Sequence, residues 1–182
     1  MSKIISTLTI ILLLGSFKIG YSQNHTIETA GDITQLALPA TAVAMLIIKK
    51  DKKGVWKFAK SFGTTMVITR ILKETIKKER PNHGGSFDSF PSGHTSAAFS
   101  GASFLQRRYG WKYGIPAYAL AVFTGYSRVY AKKHDTIDVL AGAVIGIGST
   151  YIFTTPYQQE HYQLTLNKNQ DNNYLLGFKY TF

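Results

Sequence analysis

The chain has no cysteine among its 182 residues. That excludes a disulfide framework, a thiolate nucleophile and a Cys-ligated metal, and it is compatible with an oxidising compartment. Acidic residues are scarce, 10 Asp and Glu against 21 Lys and Arg, for a net charge of +11. A chain so poor in negative charge suits anionic partners: nucleic acid, anionic lipid or a phosphorylated substrate. His25, His83 and His161 are scattered and lack the spacing of a metal-ligand set, so no metal is expected. Internal repeats are absent as well. Mean hydropathy is −0.05, low for a chain made wholly of membrane spans. That value averages an apolar middle and a very polar C-terminus, so it does not argue against a membrane.

What is present is organised into helical stretches. Residues 1–22 read as a secretory signal, with Lys3 as the positive start, a short apolar run over 4–14, and small residues at Gly20 and Ser22 for cleavage. A retained N-terminal anchor is the alternative, and either form implies export. A first helix is expected over 31–49 with Asp32 as its N-cap. A second runs over 55–79, where Val55, Phe58, Phe62, Met66, Ile68, Ile71, Leu72 and Ile76 form an apolar stripe. It should stop before Pro81, which pushes its predecessor out of the α region. Three more follow over 92–106, 113–130 and 135–153. The third is dense in Ala, Gly and Ser, which lets neighbouring helices approach closely. After Pro156 the pattern alternates polar and apolar over 161–167 and 173–182, predicting a β-hairpin. The fold class is therefore all-α: a helical bundle of about five core helices with a short C-terminal β-hairpin. Three segments result, a signal over 1–22, a helical domain over 23–156 and a hairpin tail over 157–182.

Helix direction sorts the charges. The basic turns at 49–53 and 107–112 fall at one end of the array; Arg80, Ser92, Arg128 and His134 fall at the other. If the helices span a membrane, the positive-inside tendency places the basic turns in the cytoplasm and the second group outside. That agrees with an exported N-terminus.

Three segments at that second end carry chemistry. Lys73 and Arg80 are seven residues apart and, on a continuous helix, share a face from which both long side chains reach one anion. Pro91-Ser92-Gly93-His94 opens a helix whose free N–H groups and positive dipole end suit a phosphate, with the Ser92 hydroxyl as a further donor and the His94 imidazole available for proton transfer. Arg128 offers a planar fork for two phosphate oxygens. His134 and Asp138 stand i, i+4, where a carboxylate can hold one ring nitrogen as N–H and leave the other's lone pair free.

Together, Lys-x6-Arg-Pro, Pro-Ser-Gly-His and Ser-Arg-x5-His-x3-Asp resemble the full signature of the type 2 phosphatidic acid phosphatase superfamily, which includes lipid phosphatases, class A acid phosphatases and vanadium-dependent haloperoxidases. The match covers residues 73–138 at every signature position. The resemblance implies a helical core and a metal-independent phosphatase without cofactor. Lys73, Arg80 and Arg128 would bind the phosphoryl oxygens with Ser92 and the Gly93 backbone. His134 would be the nucleophile, forming a phosphohistidine; Asp138 would orient it; His94 would protonate the leaving alcohol and then activate water. His83 and Asp88, in the preceding loop, are placed to touch substrate.

The expected substrate is a lipid phosphomonoester or diphosphate at the periplasmic face of the inner membrane, with no nucleic-acid partner. Lys57, Lys60 and Arg70 inside the second helix favour the alternative of a soluble periplasmic acid phosphatase of broad specificity. A haloperoxidase, whose vanadate pocket uses the same residues, is a further alternative.

Overall fold

The computed structural model describes residues 23–82 and 85–157, together with the backbone of 162–168 and 174–180. The expected signal, residues 1–22, and His83 lie outside the described residues. Among the described residues there are five helices: α1 (Gln23–Ile48), α2 (Lys52–Ile76), α3 (Gly93–Tyr109), α4 (Trp111–Tyr130) and α5 (Thr136–Phe153). Two short strands, β1 (Tyr162–Lys168) and β2 (Tyr174–Tyr180), pair antiparallel after them. The residues that join them, 169–173, lie outside the described residues, and with them the turn of the expected hairpin.

Helix α3 is the hub. It packs against α1, α2, α4 and α5, whereas α1 hardly meets α2 and α4 hardly meets α5. Its small residues make this arrangement feasible. At Gly142 of α5 an added Cβ would stand 2.6 Å from the Ser92 carbonyl oxygen, and at Gly146 2.7 Å from that of Ser96. Two helices pressed this closely leave no room for any side chain at those two positions.

The interior is polar and the exterior apolar, the reverse of a water-soluble bundle. Ser61, Thr65, Thr69, Ser96, Ser100, Ser103 and Thr150 are buried. Several of these hydroxyls pair across helices, Thr69 with Ser96 at 3.0 Å and Ser103 with Thr150 at 2.8 Å. Only a modest apolar cluster, around Leu38, Ala42, Leu46, Phe58 and Phe104, sits among them. Outward, Leu36, Ile47, Trp56, Val144 and Ile152 are each more than two-thirds exposed. His25–Ile48 and Thr136–Phe153 are long and apolar enough to cross a membrane. Buried hydroxyls gluing small-residue interfaces and apolar side chains facing outward are what a lipid solvent selects, so the fold fits a membrane protein.

The basic end is clamped. Asp51 caps α2 by accepting from the Gly54 N–H at 2.8 Å. Its carboxylate also takes two hydrogen bonds of 2.7 Å from Arg108, and both side chains are buried. The Arg108 guanidinium holds the Asp51 carboxyl below its ordinary range despite burial.

Three of the differences from the sequence reading bear on the site. Helix α1 begins at Gln23, not at 31, so Asp32 is an interior residue and not a cap. Helix α2 ends at Ile76 because Lys77 takes a left-handed conformation (φ 46°, ψ 46°) and returns its N–H to the Lys73 carbonyl. Lys73 and Arg80 therefore do not share a continuous helix face; they reach the same region from a helix end and a loop. Asp135 is the N-cap of α5, where it forms a capping box with Asp138.

Candidate active site

The eight residues given catalytic or phosphate-binding roles in the sequence lie at the end opposite the Asp51–Arg108 clamp. The floor is the start of α3. Pro91, which follows a cis peptide bond, precedes Ser92, whose hydroxyl oxygen caps the helix toward the Thr95 N–H at 3.5 Å and accepts the Thr95 hydroxyl at 3.0 Å. The Ser92 backbone N–H donates to the Asp138 carbonyl at 2.9 Å, which ties the start of α3 to the first turn of α5. Lys73 lies over this floor: its Cε would be 3.7 Å from a Cβ at Gly93. The Lys73 ammonium donates to the Asp88 carbonyl.

Arg80 is held by Asp88 in a bidentate pair, Nε to Oδ1 at 2.8 Å and Nη2 to Oδ2 at 2.9 Å. That pair, with the Ser86 hydroxyl, holds the Asp88 carboxyl far below the usual carboxylate range. Asp88 thus acts on a cation of the site, where the sequence reading placed it against substrate. The loop is pinned further by the Arg80 N–H to Ser86 carbonyl bond at 3.0 Å and the Ser89 N–H to Lys78 carbonyl bond at 2.9 Å.

His134 is buried in the turn between α4 and α5, tied by its N–H to the Arg128 carbonyl at 3.3 Å. Its Nδ1 is 2.8 Å from the Ser89 carbonyl oxygen, so this nitrogen carries the proton in the neutral ring. Asp138 Oδ2 is 3.7 Å from the same nitrogen, too far for a hydrogen bond. The carboxylate is engaged elsewhere: with Lys78 Nζ at 2.7 Å, with the Asp135 N–H at 3.0 Å and with the Ser89 hydroxyl. It is thus linked to His134 mainly through Ser89, whose hydroxyl binds Asp138 and whose carbonyl binds His134. Burial first, then the charges of Lys73 and Arg80, push the His134 imidazole down to about 4, against the Ser89 carbonyl and Asp138. At neutral pH the ring is uncharged and its Nε2 lone pair is available.

Arg128 and His94 meet at Asp32. Asp32 Oδ1 accepts from Arg128 Nη1 at 2.7 Å and is 2.8 Å from His94 Nε2. Sequence reasoning missed Asp32, Ser89 and Lys78. No spacing links residue 32 to 94 or 128. The one local signal is an aspartate four residues ahead of the apolar run over 36–48, where Asp is a poor helix former.

A cavity of about 410 Å³ lies at the other end, near Lys49, Arg107, Arg108, Tyr113 and Tyr157. Arg108 there is already matched by Asp51, so the chemistry is placed by the His134 cluster and not by that cavity.

Residues 54–162 match the PAP2 superfamily. The chain is 31% identical over 170 residues to a lipid A 4'-phosphatase of Helicobacter pylori, covering 86% of this chain and 85% of that protein. It is 40% identical over 78 residues to a lipid A 1-phosphatase of Porphyromonas gingivalis, covering 41% of this chain but only 17% of that protein. A phosphatidylglycerophosphatase B of Bacillus subtilis is 36% identical over 102 residues, 47% of this chain and 49% of that protein. The fold is shared with the crystal structure of Aquifex aeolicus LpxE, with a TM-score of 0.62 over 73% of this chain and 87% of that one at 24% identity.

Proposed function

This chain belongs to the PAP2 superfamily and is a lipid phosphatase, and from that premise we propose that it removes a phosphate from a lipid A-type glycolipid through a phosphohistidine at His134. The observation that carries the mechanism is a buried, neutral His134 with Nδ1 engaged by the Ser89 carbonyl, beside the cations Lys73 and Arg80. The likeness to the Helicobacter pylori enzyme over most of both chains supports the choice of lipid.

In this reading the phosphoryl group sits on the start of α3. The three cations and the N–H groups near Gly93 neutralise its equatorial oxygens. His134 Nε2 attacks phosphorus in line, the bond to the lipid oxygen breaks, and His94 protonates that oxygen as it leaves. Water then attacks the phosphohistidine, giving its proton to His94, and the N–P bond breaks to release phosphate. Asp138 acts on His134 through Ser89 and keeps Lys78 at the edge of the site.

The site faces the periplasm, with the basic turns at 49–53 and 107–112 in the cytoplasm. Strands β1 and β2 follow α5 on the cytoplasmic side in this reading. The soluble alternative is disfavoured by the apolar exterior. Lys57 and Lys60 lie within the first three turns of α2, and Arg70 within its last two turns paired to Glu74 at 2.6 Å, so long side chains can reach the interfaces. The relatives named above are phosphatases, which favours hydrolysis over halide oxidation.

Phosphate release by the purified protein in detergent tests the reading, across lipid A, phosphatidic acid, phosphatidylglycerophosphate, undecaprenyl diphosphate and an aryl phosphate. Lipid A should be turned over fastest, and His134→Ala should be inactive. Folded protein that releases phosphate from none of the lipids refutes it.

A further inference from the structure

Helix α1 lies outside the segment matched to the family, residues 54–162, yet it completes the site. Gly31 allows it to press on α4: an added Cβ would stand 1.9 Å from Ser127 Oγ and 2.8 Å from Arg128 Nη2. The close approach lets the Glu28 carbonyl accept from Arg128 Nη2 at 2.6 Å, while Asp32 Oδ1 accepts from Nη1 at 2.7 Å. Arg128 Nε donates to Ser127 Oγ at 3.1 Å. Three of the guanidinium's five N–H groups are thus used inside the fold, and two remain for a phosphoryl group. The same Asp32 oxygen is 2.8 Å from His94 Nε2. Since a carboxylate can only accept, Nε2 carries a proton whatever the charge of the ring.

We propose that Asp32 is the positioning residue for proton transfer, one carboxylate oxygen fixing the His94 ring against Arg128 so that Nδ1 alone exchanges the catalytic proton. This rests on the reading of His94 as the acid and base of the phosphatase reaction. In the first step His134 Nε2 forms the N–P bond, the electron pair of the breaking P–O bond goes to the lipid oxygen, and the proton on His94 Nδ1 moves to that oxygen. His94 is then neutral with its lone pair at Nδ1. In the second step water oxygen bonds phosphorus, a water proton passes to Nδ1, and the electron pair of the N–P bond returns to His134. One nitrogen serves both steps without a ring flip, because Asp32 keeps the other occupied. Asp32 is suited to a standing role: Arg128 is almost wholly buried, so withdrawing the carboxylate would strand a buried cation.

The test is the dependence of kcat/KM on the leaving group, measured with nitrophenyl, phenyl and alkyl phosphates for wild type, Asp32→Ala, Asp32→Asn and His94→Gln, with thermal melts to verify folding. General acid catalysis contributes about 10²–10⁴-fold and is needed least when the leaving group is already a good one. Asp32→Ala should therefore lose about 100-fold or more on alkyl phosphate but under about tenfold on nitrophenyl phosphate. His94→Gln should show the same steep slope, and Asp32→Asn, whose amide oxygen can still accept from both partners, should recover part of it. Equal losses of Asp32→Ala on all three substrates beside a steep His94→Gln overturn the role of Asp32. So does a lowered KM with unchanged kcat, which would make the carboxylate a competitor of phosphate. A flat His94→Gln slope overturns the acid reading itself, and the positioning role with it.

Discussion

Acidification should unfold this protein in part through one histidine. His134 is 4% exposed, and its imidazole is pushed from an ordinary 6.5 down to about 4. The sign follows from linkage. Between those two values the unfolded chain binds a proton that the folded chain refuses, so stability is lost as pH falls from 6.5 toward 4. The full gap corresponds to about 3 kcal/mol, most of it spent by pH 4.5. At about 2–4 °C per kcal/mol for a chain of this size, the melting temperature should drop by roughly 5–10 °C from this group alone. His134→Gln removes the group and leaves the other carboxylates and histidines in place. The gap between wild-type and variant melting temperatures in detergent should therefore shift by that amount between pH 7.5 and 4.5, with the variant the less acid-sensitive. The same shift governs the chemistry: at pH 5 His134 should remain about nine-tenths neutral, against roughly 3% for an unperturbed imidazole. NMR of histidine-labelled protein, with His134→Gln to assign the resonance among the five histidines, reads this directly. Equal acid sensitivity of both proteins, or a His134 titration near 6.5, refutes the argument from burial and cations.

Two further outcomes test the framework that carries the site. Asp51→Ala strands the buried Arg108 and should cost about 3–5 kcal/mol in unfolding measurements, whereas the double change Asp51→Leu with Arg108→Met should recover most of it. Gly142→Ala puts a methyl group 2.6 Å from the Ser92 carbonyl and should force α5 off α3. It should cost about 1–3 kcal/mol in thermal melts and lower kcat, since Asp138 and the start of α3 move together.

The parts of the site that follow from short-range rules were legible in the sequence. Pro91-Ser92-Gly93-His94 reads as a helix start because capping chemistry is local, and Ser92 caps α3. Helix direction, counted through five periodic stretches, was enough to bring Lys73, Arg80, Arg128 and His134 to one end. What was not legible depends on backbone detail or on distant packing. The left-handed Lys77 ends α2 early, and nothing in a Lys-Lys-Glu-Arg run announces it. Asp32 resembled a cap because caps and ion-pair partners draw on the same residue types; only the fold shows α1 running back to Gln23 and Asp32 facing Arg128. The i, i+4 spacing of His134 and Asp138 suggested a direct bond. The capping box at Asp135 and the loop residue Ser89 instead route the carboxylate through an intermediary that no spacing rule names.

Rapid quench of the purified protein with a lipid phosphomonoester carrying radioactive phosphorus tests covalent catalysis at His134 most directly. Label should appear on the protein within the first turnover, stable to base and labile to acid, recovered on the peptide that contains His134 and absent in His134→Ala. Full turnover with no labelled protein at any quench time, or label recovered on another residue, would contradict it.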